Sequence, residues 1–228
     1  SGFFGVFDAR RFDVPDKPSR ANADAAMSRL RTLLGEFAFA TPRDEAGALA
    51  AVLTAAIRPS LPVAPMFHIN APAAGSGKSY LTALIAMFAA DSAPPASAFP
   101  TTDEECSKLL LAALLEAPAA VIFDNLTSDL HDFKTLCSAI TEESIQGRVL
   151  GVSKTATVGT RALFLSSGNN VMPVRDMTRR AVTVTLDPRV ENPATRNFHG
   201  DPLTALKQDR GAFVSLALTI VRAWIVSS

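Results

Sequence analysis

The segment Pro72-Ala73-Ala74-Gly75-Ser76-Gly77-Lys78-Ser79 joins a flexible main chain, a cation and a hydroxyl in one short stretch. Glycines let the backbone come close to a ligand. Successive N–H groups of such a turn, followed by the positive end of a helix, offer many donors to a polyphosphate. Lys78 is placed to reach the β- and γ-phosphates of a nucleoside triphosphate, and the Ser79 hydroxyl to hold Mg²⁺. The expected nucleotide-binding set is Ala74, Gly75, Ser76, Gly77, Lys78, Ser79 and Tyr80. The usual pattern opens with glycine where this chain has Pro72, whose fixed φ and missing N–H are tolerable at the loop's entry.

A second acidic group is needed to complete a Mg²⁺ site. Val121-Ile122-Phe123-Asp124 supplies one: an apolar run and then a carboxylate at its end. Ligands bind at the carboxyl ends of strands in open α/β sheets, so Asp124 joins Ser79 as an expected metal ligand. An apolar run ending in Asp is also what an ordinary turn looks like. Asn125 follows; an amide orients water but accepts no proton. Glu105 is the candidate substitute base, set against its plainer role as an acid in the positive first turn of a helix.

The elements that must carry these groups follow from periodicity. Residues 21–40 and 43–57 show helical spacing, the second with Thr41, Pro42 and Asp44 as a start signal. Val63–Asn70 reads as a strand feeding the glycine turn, and the helix after it runs from Lys78 to about Ala90. A short strand is expected at Ala96–Phe99, a helix over Asp103–Glu116 capped by Thr102, and a buried strand over Ala119–Asp124. Residues 130–143 read as helix and 148–158 as a hairpin around Ser153-Lys154. Arg161–Ser166 and Arg180–Leu186 read as strands, and 203–226 as helix. Alternating strands and helices predict an α/β fold with a central, mainly parallel, five-stranded sheet between two helical layers. The expected division is an arm and helical cap over 1–62, a core over 63–200 and a C-terminal helical segment over 201–228.

Composition narrows the classes. The 228 residues carry a net charge of +0, with 48% hydrophobic and 19% charged residues. That suffices for a core and argues against an extended, permanently basic nucleic-acid surface. A pore repeated around an oligomer needs only one or two cations per subunit. The 2 cysteines, Cys106 and Cys137, have no metal-ligand spacing and read as buried thiols of a reducing, cytoplasmic setting. No segment reads as a membrane span or signal peptide. A first residue of Ser1 rather than Met is expected of a piece cut from a longer chain.

With these residues in order, the chain resembles the AAA+ class of P-loop ATPases. Within it, the chain is similar to the helicase-type (superfamily 3-like) domains attached to primases in phages, plasmids and integrated elements. Four pieces carry the resemblance: Ala-Gly-Ser-Gly-Lys-Ser at 74–79, Val-Ile-Phe-Asp-Asn at 121–125, Leu-Phe-Leu-Ser-Ser-Gly-Asn-Asn at 163–170, and Asp-Met-Thr-Arg-Arg at 176–180. It implies that Asn169, or else Asn170, senses the γ-phosphate or attacking water, and that Arg179 or Arg180 is an arginine finger acting on a neighbouring subunit. It implies an active homo-oligomeric ring, usually of six subunits, moving on DNA. The hairpin would grip single-stranded DNA without sequence preference through Lys154, with Arg148 and Arg161 as weaker candidates. Such ATPases commonly place Glu where this chain has Asn125. Their C-terminal lid is represented at most by Arg196, Lys207 and Arg210.

The leading expectation is therefore ATP hydrolysis with Mg²⁺, coupled to movement on or unwinding of DNA within a larger mobile-element replication protein. Asn125 motivates the first rival, a nucleotide-binding switch or scaffold with little hydrolysis. A P-loop kinase is the second rival, but the polar-tipped strand at 163–170 is no part of that plan.

Overall fold

The computed structural model describes residues 12–148, 155–190 and 200–227. Two helices come first, α1 (Arg20–Leu34) and α2 (Pro42–Ile57). Ser19 caps α1, accepting a hydrogen bond from Asn22 N, and Thr41 caps α2 ahead of Pro42, which needs no N–H at that position. Strand β1 (Met66–Ala71) then runs into the glycine turn and α3 (Lys78–Ala89). Helix α4 (Asp103–Leu115), capped by Thr102, precedes β2 (Ala120–Leu126), and α5 (Lys134–Thr141) precedes the hairpin of β3 (Ser144–Arg148) and β4 (Thr155–Gly159). Strand β5 (Leu163–Asn169), a 3₁₀ turn (Arg175–Arg179), β6 (Ala181–Thr185), α6 (Pro202–Gln208) and α7 (Arg210–Ser227) complete the described chain.

Four strands form a parallel sheet in the order β2-β5-β1-β6. β1 is buried along its whole length, as a strand covered on both faces must be. Period-two alternation sends Phe67, Ile69, Ile122, Leu165 and Val184 to one face, where α1, α2, α3 and α7 pack. Val121, Phe123 and Phe164 go to the other, under α4, α5 and the hairpin.

The structure departs from the sequence expectation at several points. The fifth strand expected at Ala96–Phe99 is a single bridge from Ser97 to Phe123, so the regular sheet has four strands. Pro94, Pro95 and Pro100 flank that stretch and limit the ladder donors it can offer. The helix expected over 130–143 is shorter, because Leu130 bridges Pro173 instead. The hairpin strands begin earlier than expected, at Ser144; Lys154 and Arg196 lie outside the described residues. The helix expected over 203–226 breaks at Asp209, whose φ of −142° is not helical. The second piece, α7, is long and apolar enough to cross a membrane by length and composition, which the sequence reading did not anticipate. It packs on α1 and buries Val214, Ala217 and Ala223.

Opposite the glycine turn, at the amino-terminal edge of the sheet, lies a buried cation. Arg58 is 1% exposed and donates through Nε to the Ala162 carbonyl at 2.9 Å, through one terminal nitrogen to Leu61 O at 2.7 Å and through the other to Thr160 O at 2.8 Å. It ties the end of α2 to the start of β5. Burial, with Arg161 nearby, lowers its pKa, and the three carbonyls are what keep the charge tolerable. Replacement by alanine leaves two carbonyls of buried residues unpaired. Urea unfolding of Arg58→Ala is expected to show a loss of roughly 2–4 kcal/mol.

Candidate functional site

Three neighbouring strands deliver polar groups to one place at the carboxyl edge of the sheet. β1 ends in the glycine turn, where Gly75 and Gly77 have φ of 75° and 91°, left-handed values that favour glycine. Gly77 caps α3, and Lys78 is its first residue. The Lys78 ammonium donates to Ala73 O at 3.2 Å and to Asn169 Oδ1, at the end of β5, at 2.5 Å. The residue is only 8% exposed. Burial lowers its pKa, and the Asp124 carboxylate works in the opposite direction.

Asp124, on β2, is the second focus. Its Oδ1 accepts from Ser79 Oγ at 3.1 Å, from the Asn125 N–H at 2.8 Å and from Ser167 Oγ in a close contact. Among the described residues nothing donates to Oδ2. A bulge makes this possible: Phe123 pairs with Ser166 but Leu126 with Gly168, so β2 carries one extra residue there. The extra length is taken up at Asn125, whose φ of 54° is left-handed, a conformation that Asn tolerates better than most side chains. The exposed Asn125 amide therefore follows directly on a carboxylate fixed by three donors.

The other sequence candidates fall in distinct places. Asn170, with φ of 52°, does not join Lys78; it braces the turn's entry, donating from its N–H to Ala71 O at 3.1 Å and from Nδ2 to Pro72 O at 3.0 Å. Glu105 sits in the first turn of α4, its carboxylate accepting from Thr101 N at 2.8 Å and Thr101 Oγ1 at 3.0 Å. Those bonds lower its pKa. Arg179 and Arg180 both bind Asp176, but the Arg179 side chain is 72% exposed and that of Arg180 only 18%. Both precede β6, and Met66 N bonds Arg180 O, which puts the pair at the amino-terminal edge of the sheet. The glycine turn lies at the other edge, about 17–20 Å away at the rise of a strand. Arg148 is exposed at the far end of β3, and Arg161 is held by Pro59 O and Glu143 at the amino edge. Arg210 caps the last turn of α3 through Met87 O, Phe88 O and Asp91, at the end remote from Lys78. Lys207 is exposed on α6.

Ser167 was not singled out from sequence, although period-two spacing from Asn169 puts both on one face of β5. A cleft of about 300 Å³ lies beside the glycine turn, and its borders at Glu36, Phe37 and Asp201 had no local signal in the sequence. Glu36, Phe37, Gly75, Gly77, Tyr80 and Asp201 line it, drawn from three separate parts of the chain. The Phe37 and Tyr80 rings lie 6.0 Å apart. Tyr80 Oη contacts Asp201 and accepts from Leu203 N at 3.0 Å, tying α3 to α6 across the cleft.

Comparison with solved structures places the fold. The chain is similar to an apo structure of the NrS-1 C-terminal region, 16% identical with a TM-score of 0.52 over 92% of this chain and 48% of that one. A second structure of that region, residues 305–718, gives 14% identity and a TM-score of 0.53 over 95% of this chain and 50% of that one. This chain thus spans about half the length of those structures. A JCV helicase is a fainter likeness, 11% identical with a TM-score of 0.43 over 89% of this chain and 62% of that one. No family model and no curated protein matches.

The geometry separates backbone strain from steric crowding at Gly77. A Cβ there would meet only the Phe37 ring, at 3.7 Å, an ordinary contact. Gly77→Ala is therefore expected to lose roughly 1–2 kcal/mol in thermal or urea unfolding, from the left-handed backbone alone. A loss well beyond that would mean the turn itself has collapsed.

Proposed function

We propose that this chain is the nucleotide-hydrolysing part of a helicase-like motor, taking ATP with Mg²⁺ and acting on DNA as an oligomer. The observation that carries the reading is the convergence of Lys78, Ser79, Asp124, Ser167 and Asn169 at the carboxyl ends of adjacent parallel strands. The residues fit the groups they would hold. The Lys78 ammonium rests on two neutral oxygens, and phosphate oxygens are stronger acceptors for it. Ser79 and Asp124 present hard oxygen donors of the kind Mg²⁺ takes, and a bound Mg²⁺ neutralises charge on the phosphates. The cleft beside Phe37 and Tyr80 is a seat for the base.

In this reading the turn's N–H groups and Lys78 bind and orient the polyphosphate, and Asn169 moves from the ammonium to the terminal phosphate or the water that attacks it. Hydrolysis transfers the γ-phosphoryl group to that water, releasing ADP and phosphate. Asn125 orients the water. Arg179 serves a neighbouring subunit: it is exposed, and the width of the sheet separates it from the turn of its own chain. Arg148 and Lys154, on the hairpin, contact the DNA backbone.

One observation favours a second reading, a switch that binds ATP and turns it over slowly. The residue after Asp124 is an amide, and the Glu105 carboxylate is engaged by Thr101.

The deciding experiment measures ATP hydrolysis against protein concentration, with and without single-stranded DNA. The motor reading expects activity per subunit to rise with both, and Lys78→Ala to abolish it. Binding without turnover under every condition selects the switch, whereas an intact chain that binds no nucleotide sinks both. Arg179→Ala is expected to lower kcat by about 10³-fold, the scale of a lost arginine finger. Mixing Arg179→Ala with Lys78→Ala subunits should restore part of the activity. No recovery would remove Arg179 from the shared site.

A further inference from the structure

The chain between Asn169 and Arg180 runs from the carboxyl edge of the sheet back to its amino edge. It joins the two places to which the proposed function assigns nucleotide sensing and phosphate-charge neutralisation. What fastens this strap is a buried histidine outside the chemistry already described. His68, on β1, is 0% exposed. Its Nε2 lies 2.8 Å from the Val171 carbonyl and its Nδ1 2.9 Å from Ser166 Oγ. A carbonyl only accepts, so Nε2 carries the proton and Nδ1 accepts from the Ser166 hydroxyl. Burial lowers the pKa of the ring and favours this neutral form.

Further contacts show how closely the strap is fitted. The Val171 side chain lies directly on Gly168: a Cβ at 168 would stand 2.1 Å from Val171 Cγ2. Leu130 N donates to Met172 O at 2.9 Å and Val174 N to Leu130 O at 3.2 Å, and Asp129 accepts from Met172 N at 3.0 Å. Met177 is wholly buried beneath the 3₁₀ turn that presents the arginines. The next inward polar residue of β1 is unfinished. Among the described residues Asn70 Oδ1 is buried without a partner, and its amide reaches only Met172 Sδ, at 3.6 Å. A firm contact and an unfilled one thus lie two residues apart on the same strand.

We propose that His68 is a positioning residue: it clamps the strap Val171–Arg180 to the strand that feeds the glycine turn, so that a change at Asn169 reaches Arg179. This rests on the function proposed above only for its nucleotide arm. His68 touches no reacting group in that scheme; it acts through Val171.

The test uses the full chain with His68→Leu, His68→Gln and His68→Asn. A Gln amide nitrogen reaches the Nε2 position and serves Val171, whereas Asn reaches only the Nδ1 position and serves Ser166. Backbone hydrogen exchange is read at Met172, Val174, Met177 and Arg180, whose N–H groups are bonded within the strap or to its supports. Without nucleotide, exchange is expected to rise about tenfold in the Leu and Asn variants and to stay within about twofold of wild type in the Gln variant. With a non-hydrolysable ATP analogue and Mg²⁺, wild type should change its exchange at these amides. The Leu variant should bind the analogue equally well and show no such change. Equal exchange in all three variants and wild type, or Gln no better than Leu, overturns the clamp. If wild type binds no analogue, the proposed function fails while nucleotide-free exchange still decides the clamp. If His68→Leu does not fold, the Gln and Asn pair decides it, with Gly168→Ala, which pushes Val171 away from the sheet, expected to match Asn.

Discussion

A nearly buried ammonium must be surrounded by oxygen, and in this protein Lys78 is that group. Burial lowers its pKa and the field of Asp124 opposes that shift, while Asn169 and Ala73 O accept its hydrogen bonds. Those oxygens come from β5, β2 and the turn after β1. The strand order β2-β5-β1-β6 is what lets them meet, because β5 stands between the strand that brings Asp124 and the strand that leads to Lys78. Pairing β1 directly with β2 would leave Asn169 on the wrong side of both. The lysine, the topology and the amide-tipped strand are thus one requirement.

The two edges of the sheet have different physical characters. At the amino edge Arg58 is buried and engaged by three carbonyls. At the carboxyl edge the polar groups are held by one another, in contacts that phosphate oxygens and a hard cation could replace. Arg179 is the exception to this division. It lies at the structural edge yet is exposed, paired with Asp176. The strap over His68 is one described segment that links the two edges along the face opposite α3.

Local signals in the sequence carried most of the elements. Thr41-Pro42, Thr102 with its acidic first turn, and the left-handed glycines at 75 and 77 each mark a boundary by chemistry confined to a few residues. Elements without such chemistry were less legible. Ser97 has strand-like neighbours but contributes one bridge, since prolines limit its ladder. The break at Asp209 interrupts an apolar run that periodicity alone would continue. Asn169 is preferred over Asn170 in sequence only for coming sooner after the strand; the left-handed backbone at Asn170 turns its amide to Pro72 while Asn169, still in the strand, faces Lys78.

The sequence by itself determined the glycine turn, the carboxylate at the end of an apolar strand, the amides at the end of another and the alternation that makes an α/β sheet. These are properties of short stretches, where spacing and residue type fix what the backbone can do. Only the tertiary structure decided that Ser167 shares Asp124, that Phe37 and Asp201 border the same cleft as Tyr80, and that Arg179 stands a sheet's width from Lys78. It also showed that His68 bonds residues about a hundred positions away. Such contacts depend on which strands become neighbours. That choice is made by packing the whole core, and no short window of residues records it.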